Sequence, residues 1–104
     1  MPLLELLNLS DPIVINSIVC AKGYDNYTWL HCTNQSKLLL ATTLKKFETQ
    51  LPSFIRVHKS SLINPTHIVQ IKTDRPRHLV ILMSNGMVIP VARRRAEHVR
   101  QLLD

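Results

Sequence analysis

Leu79-Val80-Ile81-Leu82-Met83-Ser84-Asn85-Gly86-Met87-Val88-Ile89-Pro90-Val91 is the stretch on which the fold class turns. Two apolar, β-prone runs flank Asn85-Gly86, and both residues of that dipeptide tolerate the positive φ of a type I′ turn. The spacing predicts a hairpin with strands over 79–84 and 87–91. Pro90 has no N–H to give to a ladder, so its strand lies at an edge or ends there.

Upstream, Asp74-Arg75-Pro76 reads as a turn and 67–72 as a strand, with Asn64-Pro65 as another turn before it. Phe54-Ile55-Arg56-Val57 and Ser61-Leu62-Ile63 are short extended pieces around a polar stretch. Leu44, Phe47 and Leu51 fall at i, i+3 and i+7, which predicts one face of a short helix capped by Thr42 or Thr43 and stopped by Pro52. Lys45, Lys46 and Glu48 lie elsewhere on its cylinder. Three strands precede the helix: 13–21, interrupted near Asn16, then 27–31 and 37–41, joined at Gly23-Tyr24-Asp25-Asn26 and Asn34-Gln35-Ser36. Downstream of the hairpin, Ala96, Val99 and Leu103 share one helical face. The expectation is a mainly β domain with two short helices over 13–104, preceded by an N-terminal segment, 1–12, whose leucines fit either a helix or a strand.

Composition narrows the function classes. A length of 104 residues suits one domain and leaves no room for separate cofactor and substrate halves. Hydrophobic residues at 45% and charged residues at 19% are globular composition, and 2 glycines cannot build a glycine-rich phosphate loop with linkers besides. Thirteen Lys+Arg against seven Asp+Glu give a formal charge of +6. The excess is lopsided: residues 1–36 carry Lys22 against Glu5, Asp11 and Asp25, so residues 37–104 carry all the rest of the positive charge. Clustered cations favour a polyanionic partner over a merely solvated surface. No apolar run reaches the roughly 20 residues of a membrane span. Met1-Pro2-Leu3-Leu4-Glu5 lacks the basic start of a signal peptide. Cys20 and Cys32 have no CxxC spacing and sit in strand-like surroundings, so buried reduced thiols in a cytoplasmic protein are expected.

The inventory for catalysis is thin. Seven carboxylates stand singly, and His31, His58, His67, His78 and His98 show no HxxxH or HExxH spacing. His31 adjoins Cys32, but neighbours on a strand point to opposite faces. No enzyme, metal, cofactor or small-molecule substrate is expected. Three basic or polar stretches carry the remaining signal. Arg56-Val57-His58-Lys59-Ser60-Ser61 sets cations and hydroxyls between two apolar pieces, and such groups are the usual donors to phosphates and base edges. Arg93-Arg94-Arg95 stands before the closing helix, near its positive end, where cations are unfavourable unless an anion docks. In Tyr24-Asp25-Asn26-Tyr27 the asparagine could read adenine, although a residue of this type in a tight turn more often serves the backbone.

These residues also resemble a known family. Phe54-Ile55-Arg56-Val57-His58-Lys59-Ser60-Ser61-Leu62-Ile63-Asn64 is similar to the central signature of LytTR DNA-binding domains, a hydrophobic-Arg-x-His-Arg/Lys-Ser run leading to Val/Ile-Asn. Ile18-Val19-Cys20-Ala21 with Asn26-Tyr27 resembles the family's first strand and turn, and Thr43-Leu44 to Leu51 its helix. Asn85-Gly86-Met87-Val88-Ile89-Pro90-Val91-Ala92-Arg93-Arg94 resembles its closing hairpin. The likeness spans roughly 13–103 in the family's order and spacing.

The resemblance implies a bacterial, response-regulator-like DNA-binding domain for transcription regulation, with an elongated β–β–β fold. Its loops would enter successive major grooves of a direct-repeat site in double-stranded DNA and bend it. It places base readers on or near Asn26, Lys59 and Arg93, with Tyr27, Arg56, His58, Ser60, Asn64, Arg94 and Arg95 as further DNA contacts. Some members carry His or Asn at the first two reading positions, so Asn26 and Lys59 imply a different base preference. Many members also have an amino-terminal receiver domain, and none is expected here. Direct repeats imply a homodimer on DNA, and a regulatory protein is a second partner class. A single-strand binder and a protein-interaction module remain as alternatives. Stacking platforms need aromatics, and Tyr24, Tyr27, Trp29, Phe47 and Phe54 are the supply, with at least two expected in the core. His58 has two readings: bonded to a nearby backbone or hydroxyl group so that Lys59 points outward, or exposed near a phosphate, and partial burial between the two is expected.

Overall fold

The computed structural model describes residues 3–4, 13–76 and 78–103. Strands β1 (Leu3–Leu4) and β2 (Ile13–Val14) pair antiparallel, and a 3-10 turn at Ile15–Ser17 leads into β3 (Ile18–Tyr24). The remainder of the N-terminal segment lies outside the described residues. β4 (Tyr27–Cys32), β5 (Lys37–Leu40), helix α1 (Leu44–Gln50), β6 (Ile55–His58) and β7 (Ser61–Ile63) follow. Then come β8 (Ile68–Arg75), β9 (His78–Met83), β10 (Val88–Pro90) and helix α2 (Ala96–Leu103). Five strands form one antiparallel sheet in the order β5-β4-β3-β7-β6, and three form another, β10-β9-β8. The body is elongated, 44 × 25 × 20 Å.

The five-stranded sheet is the middle layer. One face packs Ile18, Ala21, Leu30 and Leu62 against Leu44, Phe47 and Leu51 of the α1 region. The other packs Val19, Cys20, Val57 and Ile63 against Leu79, Ile81, Met83 and Ile89 of the second sheet and Val99 of α2. Serving both faces requires β3 to depart from strict alternation. A register shift between Ile18 and Cys20 turns both Val19 and Cys20 toward the second sheet, whereas Ile18 and Ala21 face α1. Gly23 ends this packing, since a Cβ there would lie 3.1 Å from Leu44 Cβ, so only glycine lets α1 begin so close to the strand.

Local chemistry explains most boundaries. Thr43 caps α1, its hydroxyl accepting from the Lys46 N–H at 3.4 Å. The hairpin forms, with Ile81 opposite Ile89 and Pro90 on an edge strand, but its turn is not type I′. Gly86 takes positive φ, 88°, Asn85 does not, and a three-residue loop over 84–86 is closed by the Gly86 N–H donating to the Met83 carbonyl at 2.9 Å. Several readings of boundaries change: Gly23 and Tyr24 extend β3 instead of opening the turn. Asp74 and Arg75 belong to β8, not to a turn. His67 closes a 3-10 turn, Pro65–His67, instead of opening a strand. Pro65 fits the first helical position and Asn64 Oδ1 accepts from the Thr66 N–H at 3.1 Å, so this chemistry wins over the β-branched run behind it.

Both cysteines are free and buried, on opposite faces of the sheet. Burial pushes the Cys20 thiol up to about 11 against a smaller opposing pull from Lys22, and burial also raises Cys32. His31, half-buried on β4, lies opposite Lys37 of β5 and Cys20 of β3. Burial and the ammonium groups of Lys37 and Lys22 hold its imidazole below the ordinary 6.5. As pH falls through that range the unfolded chain takes up this proton before the folded chain does, so stability declines. His31→Gln should flatten the fall of urea midpoint with pH below about 6.5 relative to the parent chain. An unchanged pH profile would show that His31 is not responsible.

Candidate nucleic-acid interface

Three basic or polar turns approach one another around β6. The turn between β6 and β7 is the most constrained. A register shift between Arg56 and His58 leaves Arg56 opposite Leu62, on the α1 side, while Val57 faces the second sheet. From there the Arg56 guanidinium folds back over its own turn. Nε donates to the His58 carbonyl at 2.8 Å, Nη2 donates to the Lys59 carbonyl, and Nη1 meets Glu48 Oε1 at 2.7 Å. His58 acts from the other side. Its Nδ1 accepts from the Ser60 N–H at 3.2 Å and lies 3.0 Å from Ser60 Oγ. That acceptance requires Nδ1 to be unprotonated, so the neutral ring carries its proton on Nε2. Backbone and side chains thus absorb one another's polar groups, and Lys59 is left exposed with no ion pair or hydrogen bond to its ammonium among the described residues. His58 is half-buried, as expected, and bonded within the turn.

The second turn joins β3 to β4. Tyr24 pairs with Tyr27, leaving Asp25 and Asn26 as the two-residue loop. Asp25 takes the positive φ, 57°, so left-handed backbone is not what places an asparagine at position 26. Asn26 is exposed and makes no hydrogen bond through its side chain among the described residues. Tyr24 and Tyr27 are exposed at 76% and 47%. The Gly23 N–H donates to the Ser60 carbonyl at 2.9 Å, tying this hairpin to the Lys59 turn. Between them and the start of α1 lies a cleft of about 430 Å³ lined by Tyr24, Asp25, Lys45, Arg56, Lys59 and Ser60.

Arg93–Arg95 forms the third turn, a 3-10 turn leading into α2. The Ala92 N–H donates to the Val57 carbonyl at 2.8 Å, which fixes the arginines beside β6. Arg93 and Arg94 are exposed, whereas Arg95 is half-buried with its Nε enclosed and unpartnered among the described residues. Glu97, in the first turn of α2, is the acid that faces the cations, and a cleft of about 530 Å³ runs between Arg93, Arg94, Glu97 and Arg100. Arg100 is anchored, donating to Thr73 Oγ1 at 3.2 Å.

One of the residues expected as DNA contacts does not reach the surface. Asn64 is 3% exposed. Its amide donates to the Ile18 carbonyl at 2.9 Å, and its Oδ1 accepts from the Thr66 N–H and hydroxyl. It is a peg between β3 and the 3-10 turn, because a buried amide must find partners inside. Arg56 is likewise only half-buried and fully engaged inward. The pairing of Glu48 with Arg56, by contrast, is not legible in the sequence, where Glu48 is one more polar residue on the helix cylinder. It stands eight residues before its partner, across a helix end and a turn, and no local spacing rule connects them.

Among the described residues no helix is long and apolar enough to cross a membrane, and no cluster of His, Cys, Asp or Glu could hold a metal. The family model for the LytTr DNA-binding domain matches residues 11–104. Among solved structures, the LytTr DNA-binding domain of a response regulator from Bacillus cereus is similar over 98% of this chain and 94% of that one, with a TM-score of 0.82 and 27% identity. No curated protein matches the chain. The family model covers nearly the whole length and the structural likeness runs over the same span, so the chain belongs to the LytTR family of DNA-binding domains.

Proposed function

We propose that this DNA-binding domain, spanning 13–104, regulates transcription in the cytoplasm by reading a direct-repeat site through its turns, not through a recognition helix. Asn26, Lys59 and Arg93 meet base edges in successive major grooves, and the DNA bends to accept them. Tyr27, Ser60, Arg94 and Arg95 lie against the backbone, while Arg56, His58 and Asn64 shape the turns from behind. Two copies sit side by side on the repeats, and a regulatory protein supplies the input signal. One observation carries the reading. In the β6–β7 turn Arg56 and His58 satisfy the backbone from within, so the Lys59 ammonium is left unpaired among the described residues, beside the exposed Asn26 hairpin. A rigid turn presenting one free donor loses little freedom on binding, which favours specific contacts.

The test begins with selection of bound sequences from a random duplex pool, followed by titration of selected duplex, scrambled duplex, single strand and RNA. The selected duplex should bind on the order of a thousandfold tighter than the scrambled one. Equal affinity for single strands, with stacking on Tyr24 and Tyr27, would overturn duplex reading. Lys45 and Lys46, exposed on α1, should behave differently from the readers. Replacing either with alanine should weaken all duplexes alike and reduce the salt slope by at most about one unit. A change of sequence preference in either variant would contradict this.

A further inference from the structure

Glu48 stands at the junction of α1 and the Lys59 turn, where its carboxylate accepts the Nη1 donor of Arg56 at 2.7 Å. Side-chain exposure is 17% for Arg56 and 43% for Glu48. With the carboxylate this open to water, the pair contributes little to folding. Its consequence for the guanidinium is larger. Arg56 is spent in three directions, on the carbonyls of His58 and Lys59 and on Glu48, and two of those bonds set the shape of the reading turn. The cleft beside it, lined by Thr43, Lys45, Arg56 and Lys59, opens to solvent on the side from which a phosphate can approach. An arginine without its carboxylate, facing a polyanion, gains a bidentate phosphate contact by swinging outward. It would then abandon both carbonyls.

We infer that Glu48 is a positioning residue for base readout: by neutralising Arg56 it keeps the guanidinium turned inward on the Lys59 turn and off the DNA backbone. The inference rests on the reading of Lys59 given above. It makes an unusual demand, because loss of the carboxylate should improve indiscriminate binding while harming discrimination. A purely structural role would weaken both.

The experiment measures binding of selected and scrambled duplexes across a salt series, with thermal unfolding, for the full chain, Glu48→Gln, Arg56→Gln and the double variant. Glu48→Gln should bind scrambled duplex several-fold tighter, and its plot of log affinity against log salt should steepen by about 0.9 for one added phosphate contact. The selected-to-scrambled ratio should fall roughly fivefold to tenfold, part of the discrimination a base contact supplies. In the Arg56→Gln background Glu48→Gln should change neither ratio nor slope. Where Arg56→Gln unfolds, Arg56→Lys takes its place, since an ammonium cannot fork to both carbonyls. Persistence of the gain in the Arg56 background would reduce Glu48 to a field effect and overturn the inference. So would parallel loss on both duplexes together with a lower melting temperature. A parent chain that discriminates, with Glu48→Gln unchanged from it, sinks this inference alone. A parent chain without discrimination sinks it together with the reading of the interface.

Discussion

Phe47→Ala should strip the chain of a large share of its stability. Phe47 is fully buried in the cluster between α1 and the five-stranded sheet, together with Leu30, Leu44, Leu51 and Leu62. Truncating a buried phenylalanine costs about 3–5 kcal/mol, the lost transfer energy plus the cavity left behind. Stabilities of single domains run at about 5–15 kcal/mol, so this one change removes a large share. Collapse around the hole is resisted because α1 has only seven residues and depends on tertiary packing to exist. α1 also carries Glu48, so DNA binding should disappear in the same temperature range as the helix packing. The measurements are urea unfolding followed by circular dichroism, and duplex binding at several temperatures. A loss below about 1 kcal/mol would mean that the helix is not the lid of this core.

The elements that could be read from the sequence were those whose cause is local. Asn85-Gly86 demands its hairpin, Thr43 supplies a cap, and Leu44, Phe47 and Leu51 mark one helix face, so these lie where expected. The interruption near Asn16 and the closing helix from Ala96 to Leu103 are legible for the same reason. What escaped depends on partners distant in the chain. The register shift at Val19-Cys20 exists because β3 must serve two cores, and an alternating pattern cannot reveal a second sheet. Asn64 belongs to a family signature and therefore looks like a contact, yet its amide is needed by the Ile18 carbonyl, 46 residues away in sequence. Motif membership does not separate a residue that touches a ligand from one that holds the loop which does.

That distinction also applies to the three arginines, which sequence alone treats as one cluster. Arg95 is half-buried and Arg94 exposed, but Arg93 is the first residue of the turn, next to the Ala92 amide anchored on β6. Arg93 thus joins an exposed guanidinium to a fixed backbone, which is what a bidentate contact to guanine O6 and N7 requires. Arg93→Ala should lower the ratio of selected to scrambled affinity by about 1–3 kcal/mol, on the order of tenfold to a hundredfold. The loss should be confined to one cluster of positions when each base pair of the site is changed in turn. Arg93→Lys should recover binding to scrambled duplex but not the ratio, because an ammonium keeps the charge and loses the fork. Isotherms at several salt concentrations decide the matter. A phosphate clamp would lose the same affinity on both duplexes and flatten the salt slope by about 0.9. That outcome would move base readout from Arg93 to the Lys59 and Asn26 turns, and would make the arginine run a backbone clamp.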